Sequence, residues 1–136
     1  MMRGSFAPDS RERPDFTGLT ILIVEDEALI ALDVTMALED VDATVIHAQN
    51  VAEALALVDT QEIHGAVLDV NLDGETCEPV AKAFDDAKIP YVIHSGDLAQ
   101  RGELITKMKA PIIYKPASTP RIVGRLAELM AKTAPS

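Results

Sequence analysis

The feature that most restricts this chain is an alternation: short β-rich apolar runs separated by stretches whose apolar residues recur at helical spacing. Residues 20–24 (TILIV) are apolar after the leading Thr, as a strand covered on both faces requires. The next segment sets Ile30, Val34, Ala37, Leu38 and Val41 on one helical face. Residues 44–48 predict a second strand. Asn50, with Glu53 three positions on, then predicts a capped helix whose Val51, Leu55 and Val58 face the core. Residues 66–70 (AVLDV) predict a third strand, NLDGET a loop, and Pro79 the start of a helix striped by Val80, Phe84 and Ala87. A fourth strand over 91–94 precedes a segment, interrupted by Gly102, that offers Leu98, Leu104, Ile105 and Met108 to a helix. Residues 112–114 predict the last strand. Thr119 caps a final helix that opens at Pro120 and carries Ile122, Leu126, Leu129 and Met130. Five strands alternating with five helices predict an α/β domain: an open parallel sheet with helices on both faces, joined by right-handed crossovers.

Composition narrows what such a domain does. The 136 residues carry 12 Lys plus Arg against 22 Asp plus Glu, a formal charge of −10. A surface so acidic is unsuited to nucleic acid or to an anionic membrane, because a phosphate backbone needs basic groups to displace its counterions. Aromatic residues make up 4% with no Trp, which leaves little for stacking on bases. No apolar stretch approaches the roughly 20 residues that span a bilayer. One cysteine, Cys77, cannot form an internal disulfide, and no signal-peptide pattern opens the chain, so the expected compartment is the cytoplasm. Residues 1–18, rich in Arg, Asp, Ser, Gly and Pro, read as a flexible leader, and 19–133 as the domain.

In a parallel sheet of this kind, ligands bind at the carboxyl ends of the strands, near the point where strand order reverses. The first strand ends in Glu25 and Asp26, the third in Asp69, the fourth in Ser95 and the fifth in Lys115. Carboxylates packed at one edge stay ionised only with a cation among them, and Mg2+ suits hard oxygen ligands. Beside such a cation a carboxylate can attack phosphorus while Lys115 and a hydroxyl stabilise the transferred group. Asp69, the sole acid at the end of the central apolar strand, is the expected nucleophile, with Glu25 and Asp26 holding the metal.

With IVEDE after strand one, LDVNL around Asp69, HSG after strand four and YKP after strand five, all in order, the chain resembles the receiver domains of two-component response regulators. It looks most like stand-alone proteobacterial receivers. The resemblance implies a flavodoxin-like sheet of order 2-1-3-4-5 and phosphoryl transfer to Asp69 from a histidine kinase or a histidine phosphotransfer protein. It implies Mg2+ held by Asp26, Asp69, Glu25 through water and the main-chain carbonyl of Asn71, with Ser95 and Lys115 on the phosphoryl oxygens. It also implies a cis peptide between Lys115 and Pro116. Output would be contact with a downstream protein, or service as a relay or phosphate sink; a homodimer stays open. The protein would not be an enzyme beyond its own phosphorylation and dephosphorylation. Ile112 departs from the family, which usually has an aromatic switch residue three places before the lysine.

Two rival functions share these residues. One is a receiver-like binding module that is never phosphorylated. The other is a Mg2+-dependent aspartyl-phosphate phosphatase, disfavoured because the position two after Asp69 holds Asn71, which cannot act as a general acid. Glu27, Asp73 and Glu75 read as a solvated helix start and loop acids. His47, His64 and His94 share no metal-ligand spacing, and His94 is expected to face away from the site. Cys77 and Met108 read as packing residues. Leu29, Leu32 and Met36 form a second line on the first helix, nearly opposite its core stripe, and suit a partner surface.

Overall fold

The computed structural model describes residues 14–72, 74–95, 110–114 and 119–133. Its elements are β1 (Thr20–Val24), α1 (Ala28–Glu39), β2 (Thr44–Ala48), α2 (Val51–Thr60), β3 (Gly65–Asp69), β4 (Asn71–Leu72), β5 (Glu75–Thr76), α3 (Glu78–Ala87), β6 (Tyr91–Ser95), β7 (Ile112–Tyr114) and α4 (Thr119–Thr133). The helix expected over 98–108 lies outside the described residues.

Five strands form one parallel sheet in the order β2-β1-β3-β6-β7, which is 2-1-3-4-5 for the strands of that sheet. The chain leaves β1 toward β2 on one side and returns to β3 on the other. Strand order therefore reverses between the tips of β1 and β3. All five residues of β3 are buried, which is why its sequence is apolar up to Asp69 rather than alternating.

Alternate side chains of each strand feed two cores. On one face Leu22, Val24, Ala66, Leu68 and Ile93 meet α2 through Ala54 and α3 through Val80, Ala81 and Phe84. On the other, Ile21, Ile23, Val67, Val92 and Ile113 meet α1 through Ala31, Val34 and Leu38, and α4 through Ile122, Val123 and Leu126. Burying a side chain such as Leu38 or Phe84 contributes about 1.5–3 kcal/mol each.

Four details differ from the sequence reading. On α2 the buried line runs through Ala54, with Val51 and Val58 partly covered, and leaves Leu55 exposed, since the small Ala54 lets the helix axis approach the sheet. On α3, Ala81 is buried while Ala87 is exposed. Phe16, inside the segment expected as a leader, is buried; its amide donates to the Val41 carbonyl at 2.7 Å, which stitches the chain to the end of α1. The NLDGET loop contains a small antiparallel hairpin in which β4 pairs with β5, Asn71 opposite Thr76, and Gly74 has φ +84°. The Asp73-Gly74 pair is a turn signal of the kind that closes two-residue hairpins. The Asn50 cap is as expected: its side chain accepts from the Glu53 amide at 2.8 Å, and Glu53 Oε1 reaches back to the Gln49 amide at 2.8 Å.

Candidate functional site

Strand β1 passes its last ladder residue at Val24 and delivers Glu25 to the sheet edge, where the side chain is buried. The Glu25 backbone is held from β2 on both sides. Its amide donates to the Ala48 carbonyl at 3.0 Å, and its carbonyl lies 2.7 Å from His47 Nε2. Glu25 Oε2 accepts from the Glu27 amide at 3.3 Å. Asp26 and Glu27 reach outward, and one carboxylate oxygen from each of Glu25, Asp26 and Glu27 lies within 4.8 Å of the others. Such grouped negative charges repel unless a cation lies among them. Glu27 is exposed and stands as the N-cap of α1, the solvated helix start its sequence position suggests, while one of its carboxylate oxygens lies near those of Glu25 and Asp26.

Asp69 closes β3 and is 4% exposed. Val24 pairs with Leu68, so the register carried one step further sets Glu25 across from Asp69. On the other side Asp69 pairs with His94, and Ser95 follows as the last residue of β6. Glu25, Asp69 and Ser95 thus end three adjacent strands at one edge. Ser95 is 1% exposed, and its Oγ has no hydrogen-bond partner among the described residues. Leaving a buried hydroxyl unsatisfied costs about 1–3 kcal/mol, which leaves this atom with hydrogen-bonding capacity unused among the described residues.

His94 does not face away from Asp69. Partners in a parallel register project to the same side, so His94 shares the Asp69 face and is buried. Alternation counted back from Ser95 misleads because Ser95 stands at the strand end. Asn71, whose carbonyl the resemblance assigns to the metal, begins β4 two residues after Asp69. Glu75 is exposed, as a solvated acid should be; Asp73 lies outside the described residues. Lys115, and the peptide joining it to Pro116, lie outside them as well. Ile112, at the position where receivers usually carry an aromatic, pairs with Ile93 and packs half-buried against the α2–α3 core.

The remaining histidines and the cysteine serve the scaffold or its rim. His64 Nδ1 accepts from the Thr20 amide at 2.9 Å, pinning the start of β1. Cys77 is fully buried at the start of α3. His47 is the residue that spacing rules missed; its only signal was a polar ring in an otherwise apolar edge strand. On α1, Leu29 is 82% exposed, Leu32 53% and Met36 60%, an uncovered apolar line that starts one turn beyond the acidic group.

The same order of strands and helices recurs in solved structures. A response regulator receiver protein from Sinorhizobium medicae WSM419 superposes with a TM-score of 0.76 at 25% identity, covering 85% of this chain and 97% of that one. The chain has the receiver-domain fold. A response regulator receiver domain protein from Methanospirillum hungatei JF-1 gives 0.72 at 24% identity over 85% and 95% of the two chains. The response regulator PhyR from Brucella abortus gives 0.76 at 23% identity over 93% of this chain and 54% of its own. No protein-family model and no curated protein matches the sequence. Within the receiver fold, Glu25 and Asp69 stand at the strand tips where order reverses, and Ser95 ends the next strand. No helix among the described residues is long and apolar enough to cross a membrane.

Proposed function

We propose that this receiver is a phosphorylation switch in which Asp69 takes a phosphoryl group from a phosphohistidine of a histidine kinase or a histidine phosphotransfer protein. The observation that carries the reading is the placing at one sheet edge of two buried carboxylates, Glu25 and Asp69, with the buried hydroxyl of Ser95, which has no hydrogen-bond partner among the described residues.

An Asp69 carboxylate oxygen attacks phosphorus, the bond from phosphorus to the imidazole nitrogen breaks, and its electron pair stays on the imidazole, which takes up a proton. Ser95 Oγ supplies a hydrogen bond to one phosphoryl oxygen, and the ammonium of Lys115 neutralises charge on another. Burial of Asp69 excludes water from the attacking oxygen.

The donor set fits Mg2+: all of its atoms are hard oxygens, and the acidic group clusters at the tip of β1. Asp26, Asp69, the Asn71 main-chain carbonyl and, through water, Glu25 would hold it. When bound, Mg2+ neutralises the charge that develops on the transferred oxygens. The phosphorylated domain then signals by contact with another protein, relays the group or stores it.

Asp69→Asn abolishes acid-labile labelling by a small phosphodonor such as acetyl phosphate, and chelation of Mg2+ abolishes it in the wild type. Undiminished labelling of the Asn variant sinks the assignment. The exposed line of Leu29 and Leu32 supplies apolar anchors for the helical phosphohistidine partner, since that partner must dock beside the strand tips to reach Asp69. Leu29→Asp or Leu32→Asp therefore slows transfer from a kinase by on the order of tenfold for about 1.4 kcal/mol of lost docking energy, while labelling by acetyl phosphate stays unchanged. A parallel fall in both reactions would assign these residues to the fold.

A further inference from the structure

The acidic group hangs on a peptide that the sheet no longer holds. The β1 ladder with β2 ends at the pairing of Val24 with Ala48, and one further bond, from the Glu25 amide to the Ala48 carbonyl at 3.0 Å, continues it. Beyond that point the Glu25 carbonyl lies 2.7 Å from Nε2 of His47, a side chain of the edge strand β2 standing one residue before the strand's end, level with Ile23. A carbonyl only accepts, so Nε2 carries the proton and donates.

The Glu25 carbonyl and the Asp26 amide belong to one planar peptide unit. Fixing the carbonyl fixes that plane and with it the position of the Asp26 Cα, so that rotation about one backbone bond, N–Cα, remains to aim the Asp26 side chain. Glu25 is held at its amide, its carbonyl and its carboxylate by Ala48, His47 and the Glu27 amide. The first two come from the neighbouring strand. The His47 bond is made by the His47 side chain, so it can be altered without touching the sheet's own hydrogen bonds.

We infer that His47 is a positioning residue for the divalent-cation site at the tip of β1, setting the Glu25–Asp26 peptide through its Nε2–H while touching neither the cation nor the phosphoryl group. The inference rests on the reading of Glu25 and Asp26 as holders of Mg2+. His47 is exposed and lies outside both buried cores, so replacing it leaves the packing of the sheet intact.

Groups that orient metal ligands typically change metal affinity by roughly 10–100-fold when removed. Mg2+ alone, titrated calorimetrically into the full chain, gives the readout, with thermal melting of each variant run beside it. His47→Phe keeps a ring and loses the donor; it weakens Mg2+ binding by roughly tenfold or more while the melting temperature holds. His47→Gln, which returns an N–H donor, recovers the affinity at least in part. Wild-type affinity in His47→Phe overturns the inference and leaves the metal reading standing. Equal losses in both variants, together with lowered melting temperatures, overturn it in favour of edge-strand packing. A wild type that binds no Mg2+ overturns the metal reading and this inference together.

Discussion

The two ends of β6 carry buried hydroxyls in contrasting surroundings. At the start, Tyr91 is 4% exposed and its OH has no hydrogen-bond partner among the described residues; at the finish, Ser95 is in the same condition. Around Tyr91 lies the α2–α3 core. Its ring meets Phe84 with centroids 5.1 Å apart at 51°, a tilted aromatic contact, and desolvation, helped by the charges of Asp85 and Cys77, pushes its pKa up to about 12. Ser95 ends the strand next to the one that Asp69 closes. An unsatisfied hydroxyl in an apolar cluster is a tolerated cost of packing a large ring. In the function proposed, the same group at the strand tips is the donor to a phosphoryl oxygen. Burial without a partner therefore says little until the neighbours are named.

The comparison can be broken from either end. The largest effect belongs to the Tyr91 end: Phe84→Ala deletes the ring that Tyr91 packs on and destabilises the domain by about 3–5 kcal/mol in urea unfolding. Labelling of the protein that remains folded is unaffected, and a specific loss of labelling would mean that the two ends are coupled.

At the other end, Ser95→Ala slows labelling by acetyl phosphate between roughly tenfold and a hundredfold, the value of about 1.5–3 kcal/mol for a hydrogen bond to a charged group. Its melting temperature holds or rises, because the orphaned hydroxyl is gone. A variant that labels at the wild-type rate would place Ser95 with Tyr91 as a mere packing residue.

The smallest effect is Tyr91→Phe, which changes stability by less than about 1 kcal/mol at neutral pH, since the hydroxyl lacks a partner to lose. Its signature lies in alkali. A tyrosine whose folded pKa is raised from 10.0 to about 12 favours the folded state fully below pH 10, and that contribution is lost as pH climbs toward 12. The wild type thus loses stability across that window more steeply than Tyr91→Phe, as urea midpoints at successive pH values would register. Identical slopes would contradict a buried Tyr91.

Strand positions were legible because their apolar runs are continuous, which only a sheet covered on both faces demands. The bounds of β1 and β2 follow directly, and β3 begins one residue early because Gly65 pairs with Ile21. The tips of β1, β3 and β6 were legible for the same reason: a polar residue ending an apolar run is conspicuous. Contacts made by turning back were not. His47 reaches across from a neighbouring strand, and Phe16 docks on α1 from a segment of loop-like composition. Neither of these has a period. Leu55 shows a subtler limit, since helical spacing admits more than one stripe and the closer approach allowed by Ala54 decides between them.

The central claim is that Asp69 is the atom-bearing site of phosphoryl transfer. Its most direct measurement is to incubate the full chain with acetyl phosphate and Mg2+, reduce with borohydride, which converts an acyl phosphate at aspartate into homoserine, and map the product by peptide mass spectrometry. Homoserine at position 69, absent when the chelator is present, is the result this account predicts. Conversion at Glu25, Asp26 or Glu27 instead, or none in a protein that melts cooperatively, would contradict it.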